Sequence, residues 1–269
     1  MTEFGKNTIR HFKKLFICKV ILGILGVMFC LFLACARIIP NSESQAKIIT
    51  RDKVILIGKF VPPKEPSKFT FILLHGLASN KNEWYGFADK LSHRGYGYLA
   101  VDIRGHGESN KTTNGADIDI KYFGRPGPGS EWNKIIDDVD VMVQYLIKTR
   151  DIRKNSIALA GASIGANIAL IYSANHKFVP LVILLSPGLN YIELLTAPAM
   201  KKYGERPVAI AASPGDKYAF ESSSRLMTIA KEIGASVVFF EGKKNQHGVQ
   251  MFDGQFENEI ITWLDSIHD

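Results

Sequence analysis

Ser163, Asp216 and His247 are side chains that together could transfer an acyl group. Ser163 is the centre of Gly161-Ala162-Ser163-Ile164-Gly165, a pattern that can present a serine hydroxyl on a sharp turn between a strand and a helix. Side chains flanking that turn would collide with the strand and the helix, so glycine is needed on both sides. A serine hydroxyl is a weak nucleophile near neutral pH, and it needs a histidine to take its proton and a carboxylate to orient the histidine. Downstream of Ser163 stand His176, His247 and His268. His176 falls beyond the helix expected after the serine, and His268 is one residue from the C-terminus, where chain ends fray. His247 lies in the polar loop Asn245-Gln246-His247-Gly248 and is the candidate base. Asp216, in Ser213-Pro214-Gly215-Asp216, is the candidate acid; the same residues would also make an ordinary surface turn, and the strand before them favours the catalytic reading.

Acyl transfer also needs two backbone N–H donors for the negative charge that develops on the carbonyl oxygen. Ile164, directly after the serine, supplies one. Leu77, in His75-Gly76-Leu77, supplies the other from the loop after an early strand. His75 itself is read as a loop residue and not as a second base.

Elements that would hold these residues follow from the pattern of apolar runs. Residues 47–50 and 54–60 predict an antiparallel hairpin at a sheet edge. Short apolar runs at 69–74, 96–101, 156–160, 181–185, 208–212 and 236–240 predict buried parallel strands. Helices are predicted at 84–94, 131–150, 165–174, 221–233 and 256–267. In the second of these, Ile135, Ile136, Val139, Val143, Leu146 and Ile147 recur at three- and four-residue steps and make one apolar stripe for the sheet. Alternating strands and helices define a doubly wound α/β fold, whose crevice opens at the carboxyl ends of the strands. Ser163, Asp216 and His247 each fall just past such an end.

These pieces together resemble the α/β-hydrolase superfamily, in particular its small esterase and lysophospholipase-like members. The likeness spans about residues 50–265 and rests on Leu73-Leu74-His75-Gly76, on Asp102-Ile103-Arg104-Gly105-His106-Gly107-Glu108-Ser109, on the serine turn, on Ser186-Pro187-Gly188, and on Asp216 and His247. The resemblance implies that Asp102, Arg104 and His106 belong to a structural loop. Many such proteins insert a cap domain before the strand that leads to the acid. Here only residues 188–207 are available, enough for a helix and a turn but not for a separate cap. The glycine- and proline-rich stretch 110–129 reads as a mobile loop that could select substrate. The implied activity is cleavage of carboxylic esters through an acyl-enzyme, with no metal and no organic cofactor. Thioester or peptide-like amide cleavage uses the same triad and stays open, although peptidases of the superfamily usually have caps. An aspartate-nucleophile dehalogenase is disfavoured because the turn holds Ser163. A catalytically silent, membrane-tethered binding module is the alternative from another class.

A chain of 269 residues with 46% hydrophobic residues can bury one large core, so a single globular domain over 48–269 is expected. The net charge of +7 does not imply a nucleic-acid surface. Lys6, Arg10, Lys13, Lys14, Lys19 and Arg37 against Glu3 place five of those charges in the first 37 residues, leaving two for the body. Residues 20–36 are uncharged and almost wholly apolar after that basic stretch, which predicts a signal peptide or membrane anchor in 1–36 with the domain exported. All three cysteines, Cys18, Cys30 and Cys35, lie in this leader, so the body can form no internal disulfide. Cys35 follows Phe32-Leu33-Ala34 and is a lipidation candidate, beside an uncleaved anchor or cleavage near Ala36. Residues 37–47 read as a polar tether.

Overall fold

The computed structural model describes residues 43–268. The leader, with its apolar run and Cys35, lies outside the described residues. Among the described residues no helix is long and apolar enough to cross a membrane.

Strands β1 (Ser44–Ile49) and β2 (Val54–Val61) form the expected antiparallel edge hairpin, in register Ile48 to Leu56. β1 starts inside the segment expected to be tether. Ala46 and Ile48 alternate into the core, and their burial extends the pairing back to Ser44. The other strands are β3 (Thr70–Leu74), β4 (Gly97–Val101), β5 (Lys111–Thr112), β6 (Ile157–Ala162), β7 (Val182–Leu185), the short pair β8 (Asn190–Tyr191) and β9 (Leu194–Leu195), β10 (Val208–Ala212) and β11 (Val237–Glu241). The main sheet runs β1-β2-β4-β3-β6-β7-β10-β11, with β5 paired to β2. Everything from β4 through β11 along that order is parallel.

Among the described residues six α-helices accompany it: α1 (Tyr85–His93), α2 (Glu131–Arg150), α3 (Ile164–Asn175), α4 (Thr196–Tyr203), α5 (Lys217–Glu232) and α6 (Gln255–His268). Successive residues of a strand face opposite sides of a sheet, and the two sides carry different cores. Ile72, Leu74, Leu159 and Ile210 meet Val139 and Met142 of α2, Ile168 of α3 and Leu226 of α5. Phe71, Leu73, Ala158, Ala160 and Ala209 meet Phe87 and Leu91 of α1 and Ile260 and Leu264 of α6. Alanines on the second side leave room for the aromatic layer of Trp84, Phe87, Phe252 and Phe256. The fold is therefore a mostly parallel sheet with helices on both faces, as the strand and helix pattern predicts.

Three segments depart from the expectations. Residues 110–129 are tied down: Thr112 pairs with Val54, Ile118 N–H donates to Asn110 O at 3.0 Å, and Phe123 is buried against Trp132 with ring centroids 5.2 Å apart. Composition missed this because the anchoring residues are few among the glycines. Residues 188–207 hold a β8–β9 hairpin as well as helix α4, and no separate cap. Helix α5 begins at Lys217, four residues before the expected start, so Asp216 is its N-cap residue.

Candidate active site

β6 lies between β3 and β7, and Ser163 follows it with φ 54° and ψ −121°. A serine at positive φ is strained by about 1–3 kcal/mol and persists only where its surroundings fix it. Its N–H donates to Leu185 O at 2.8 Å, and its carbonyl accepts from Ala166 N at 3.0 Å, which starts α3. The flanking glycines are required by space. A Cβ on Gly161 would lie 2.1 Å from Gly165 O, and one on Gly165 would lie 2.2 Å from Leu74 O. Both obstacles are backbone, so neither can rotate away.

Ile164 is the first residue of α3, and a first-turn N–H has no acceptor within its helix. On the β3 side, a Cβ on Gly76 would lie 3.4 Å from the Cβ of Ser163, so the His75-Gly76-Leu77 loop passes directly against the serine. Ala78 in this loop has φ 59°, and Leu77 is 48% exposed. The structure thus brings Ile164 and the Leu77 loop to the same serine.

Asp216 and His247 are in contact: the carboxylate Oδ2 accepts from His247 Nδ1 at 2.5 Å. The acid turn and the histidine loop are also joined by Gly215 N–H donating to Lys244 O at 2.7 Å. His247 N–H donates to Gln250 Oε1 at 3.0 Å, and Gly248 N–H donates to Ser186 Oγ at 2.8 Å. A Cβ on Gly248 would lie 3.3 Å from that of Ala162, which places the histidine loop against the residue before Ser163.

The residues read as scaffold are buried and internally bonded. His75 Nε2 accepts from Ile103 N at 3.0 Å and its Nδ1 donates to Gly76 O at 2.7 Å, while burial pushes its pKa down to about 4, so the ring is neutral. Asp102 accepts from Lys81 N (2.7 Å), Lys81 Nζ (2.8 Å) and Glu108 N (2.8 Å). Arg104 is 1% exposed and donates to Asp138 at 2.6 and 2.7 Å, to Asp52 at 2.9 and 3.0 Å, and to Glu131 at 2.6 Å. His176 caps α3, stacked on Tyr172 with centroids 3.9 Å apart.

Two further residues reach the site without any signal in the sequence reading. Glu83 accepts from Gly76 N at 2.9 Å and is bonded by the Ser79 hydroxyl; burial raises its pKa, and its charge is felt at His247. Tyr191 of β8 donates its hydroxyl to Ser186 O at 3.4 Å, next to Leu185, whose carbonyl accepts from Ser163 N–H. Glu83 is seven residues beyond Gly76, with no periodicity to mark it. Tyr191 lies in a segment whose length alone carried the sequence argument.

A strained serine after the central strand, an aspartate–histidine pair past later strands and two-sided helix cover define an α/β hydrolase. Residues 65–232 match the family described as "Serine aminopeptidase, S33", and the chain belongs to that family. The matched stretch includes Ser163 and Asp216 and ends before His247. A curated relative, the AB hydrolase superfamily protein YisY of Bacillus subtilis (strain 168), is 31% identical over 106 residues, covering 39% of this chain. That alignment spans about a third of the relative, 32% of its length. Among solved structures, the esterase Pf2001 of Pyrococcus furiosus superposes with a TM-score of 0.64 at 18% identity, over 84% of this chain and 90% of that one. Dienelactone hydrolase from Anabaena variabilis gives 0.62 at 15% identity, over 84% and 95%. At these identities the two structures establish the shared fold.

Proposed function

We propose that this hydrolase cleaves carboxylic esters through an acyl-enzyme on Ser163, with His247 as base and Asp216 as its orienting acid. The observation that carries the reading is the left-handed Ser163, with the Asp216–His247 pair joined at 2.5 Å in the loops beside it. Asp216 holds the Nδ1 proton, which leaves Nε2 to take the proton of Ser163. Oγ then bonds to the ester carbonyl carbon. The N–H groups of Leu77 and Ile164 stabilise the oxyanion. His247 passes the proton to the departing alcohol, and water repeats the sequence to release the acid. The esterase and dienelactone hydrolase among the structural neighbours, and the lack of a separate cap over residues 188–207, favour small esters over peptides.

Attachment to a membrane on its extracytoplasmic side is part of this reading. It rests on the basic, apolar sequence of residues 1–36, with Cys35 as lipid acceptor or 20–36 as anchor. Cys35→Ser should release or leave unprocessed a lipidated protein and should leave an anchored one bound.

The test of activity is a panel of p-nitrophenyl esters of graded chain length, beside the matching anilides and thioesters, with fluorophosphonate labelling. Hydrolysis of esters above the other two classes is expected, with Ser163→Ala losing both turnover and label while it stays folded. Wild-type turnover in Ser163→Ala, or an intact protein that neither hydrolyses nor labels, would overturn the proposal.

A further inference from the structure

Ser186 opens the Ser186-Pro187-Gly188 motif, is fully buried, and has no part in the triad. It follows β7, the strand beside β6, and turns the chain with φ 48°. A serine in that conformation persists only where its surroundings over-determine it, and here they include all three triad segments. Leu185, the residue before it, accepts the Ser163 N–H at 2.8 Å. Ser186 N–H donates at 2.7 Å to Ala211 O of β10, the strand that leads to Asp216. Ser186 Oγ accepts at 2.8 Å from the N–H of Gly248, the residue after His247.

The bonds of the histidine loop divide by side. Asp216 holds the imidazole from the acid side, and Gly215 N–H on Lys244 O ties the loop to the acid turn. Gln250 accepts the His247 N–H from within the loop, so it shapes the loop without attaching it to the sheet. The Ser186 hydroxyl attaches it on the side of the nucleophile. Gly248 is buried there, and a Cβ on it would lie 3.3 Å from that of Ala162, next to Ser163. Gly248 also starts the 3₁₀ turn Gly248–Met251, and the first N–H groups of a helical turn have no acceptor within it. Without the hydroxyl this buried donor is unpaired, and the loop must shift to satisfy it.

Resting on Ser163 as the nucleophile and His247 as its base, we propose that Ser186 is a positioning residue: its hydroxyl holds the His247 loop against the serine turn and so fixes how the imidazole approaches Ser163. Ser186 acts through His247 and touches no reacting atom. Proton transfer to the imidazole requires hydrogen-bond reach, and a misplacement of about 1 Å can cost about 100-fold. With Asp216, Gly215 and Gln250 still holding the loop, loss of the hydroxyl moves the ring by less than that. His247 serves both acylation and deacylation, so both steps slow together. The effect therefore falls on kcat and leaves KM in place.

The experiment is p-nitrophenyl acetate hydrolysis and fluorophosphonate labelling by wild type, Ser186→Ala, His247→Ala and the double variant, with thermal midpoints. Ser186→Ala should lose about tenfold in kcat, equal to about 1.4 kcal/mol. KM should stay within about twofold, and labelling should slow in parallel with kcat. In the His247→Ala background the same change should cost less than about twofold, because the base through which Ser186 acts is gone. Ser222→Ala is the control for lost structure. Its buried Oγ accepts Leu189 N–H at 3.0 Å, so the same kind of bond is removed from a residue outside the His247 loop. Its midpoint should fall as in Ser186→Ala while kcat stays within about twofold. If Ser186→Ala does not fold, Ser186→Gly carries the test, since glycine takes φ 48° without strain. Unchanged kcat in the folded Ser186 variant, a loss that persists in full in the His247→Ala background, or an equal loss in Ser222→Ala would overturn the role of Ser186 and leave Ser163 and His247 in theirs. A wild type that neither hydrolyses nor labels would overturn serine hydrolysis itself, and Ser186 with it.

Discussion

Replacing Asp216 by asparagine tests the proposed role of His247 as base and how much of its power comes from its partner. The carboxylate accepts from His247 Nδ1 at 2.5 Å, and the pair is partly open, with side-chain exposures of 39% for His247 and 18% for Asp216. When His247 takes the Ser163 proton it becomes a cation. Two opposite unit charges about 4 Å apart near a protein surface attract by about 4 kcal/mol. Solvent at the exposed side of the imidazole screens part of this, and halving it leaves about 2 kcal/mol. At 1.36 kcal/mol per factor of ten, Asp216→Asn should lower kcat/KM for p-nitrophenyl acetate by about 30-fold from charge alone. An amide N–H turned toward Nδ1 also favours the wrong tautomer, which carries the loss further, toward the roughly 10⁴-fold known for triads of this type. His247→Ala should fall lower still, because the base itself is gone. Activity of Asp216→Asn within threefold of wild type, with Ser163→Ala inactive, would refute the pairing. Glu83, the other carboxylate whose charge reaches His247, would then be the residue to replace.

Two predictions concern the scaffold. Gly165→Ala sets helix propensity, which favours alanine by about 1 kcal/mol, against a Cβ 2.2 Å from Leu74 O and 2.7 Å from His75 O. Steric overlap with backbone should win by more than the usual 1–3 kcal/mol of overpacking, read as a lower thermal midpoint or loss of soluble protein; a higher midpoint would refute the clash. Asp138→Ala removes two bonds from the buried guanidinium of Arg104. Breaking a buried ion pair costs about 3–5 kcal/mol, and since Asp52 and Glu131 stay bound the lower end applies, which for a domain of this size lowers Tm by roughly 6–12 °C. A change under about 2 °C by circular dichroism would show that Asp52 and Glu131 alone hold Arg104.

The parallel strands were legible because each is a short apolar run with nothing polar to interrupt it, and β3, β4, β6, β7 and β10 stand within about two residues of their expected ends. The serine turn was legible because its two glycines answer a steric need that acts within five residues. The histidine was found by elimination and chain order, with no local mark of its own. What stayed hidden depends on contacts distant in sequence. Helix α5 starts early because Asp216 N–H turns back to Ser213 O at 3.0 Å while its side chain leaves the helix end for His247. The stretch 110–129 is held by Phe123 on Trp132 and by β2, and composition weighed only its glycines and prolines. Tyr191 owes its place to a turn at Ile192 and Glu193, both with positive φ, a conformation neither residue type announces.

The two carboxylates near His247 divide their tasks by environment. Asp216 sits at the amino end of α5 and gives its Oδ2 to the ring, so it acts on His247. Glu83 is spent on Gly76 N–H and the Ser79 hydroxyl, and so acts on the loop that carries Leu77. Burial raises the pKa of Glu83. The two carboxylates thus differ by what they hold: Asp216 orients the imidazole of His247, and Glu83 pins the loop that passes against Ser163.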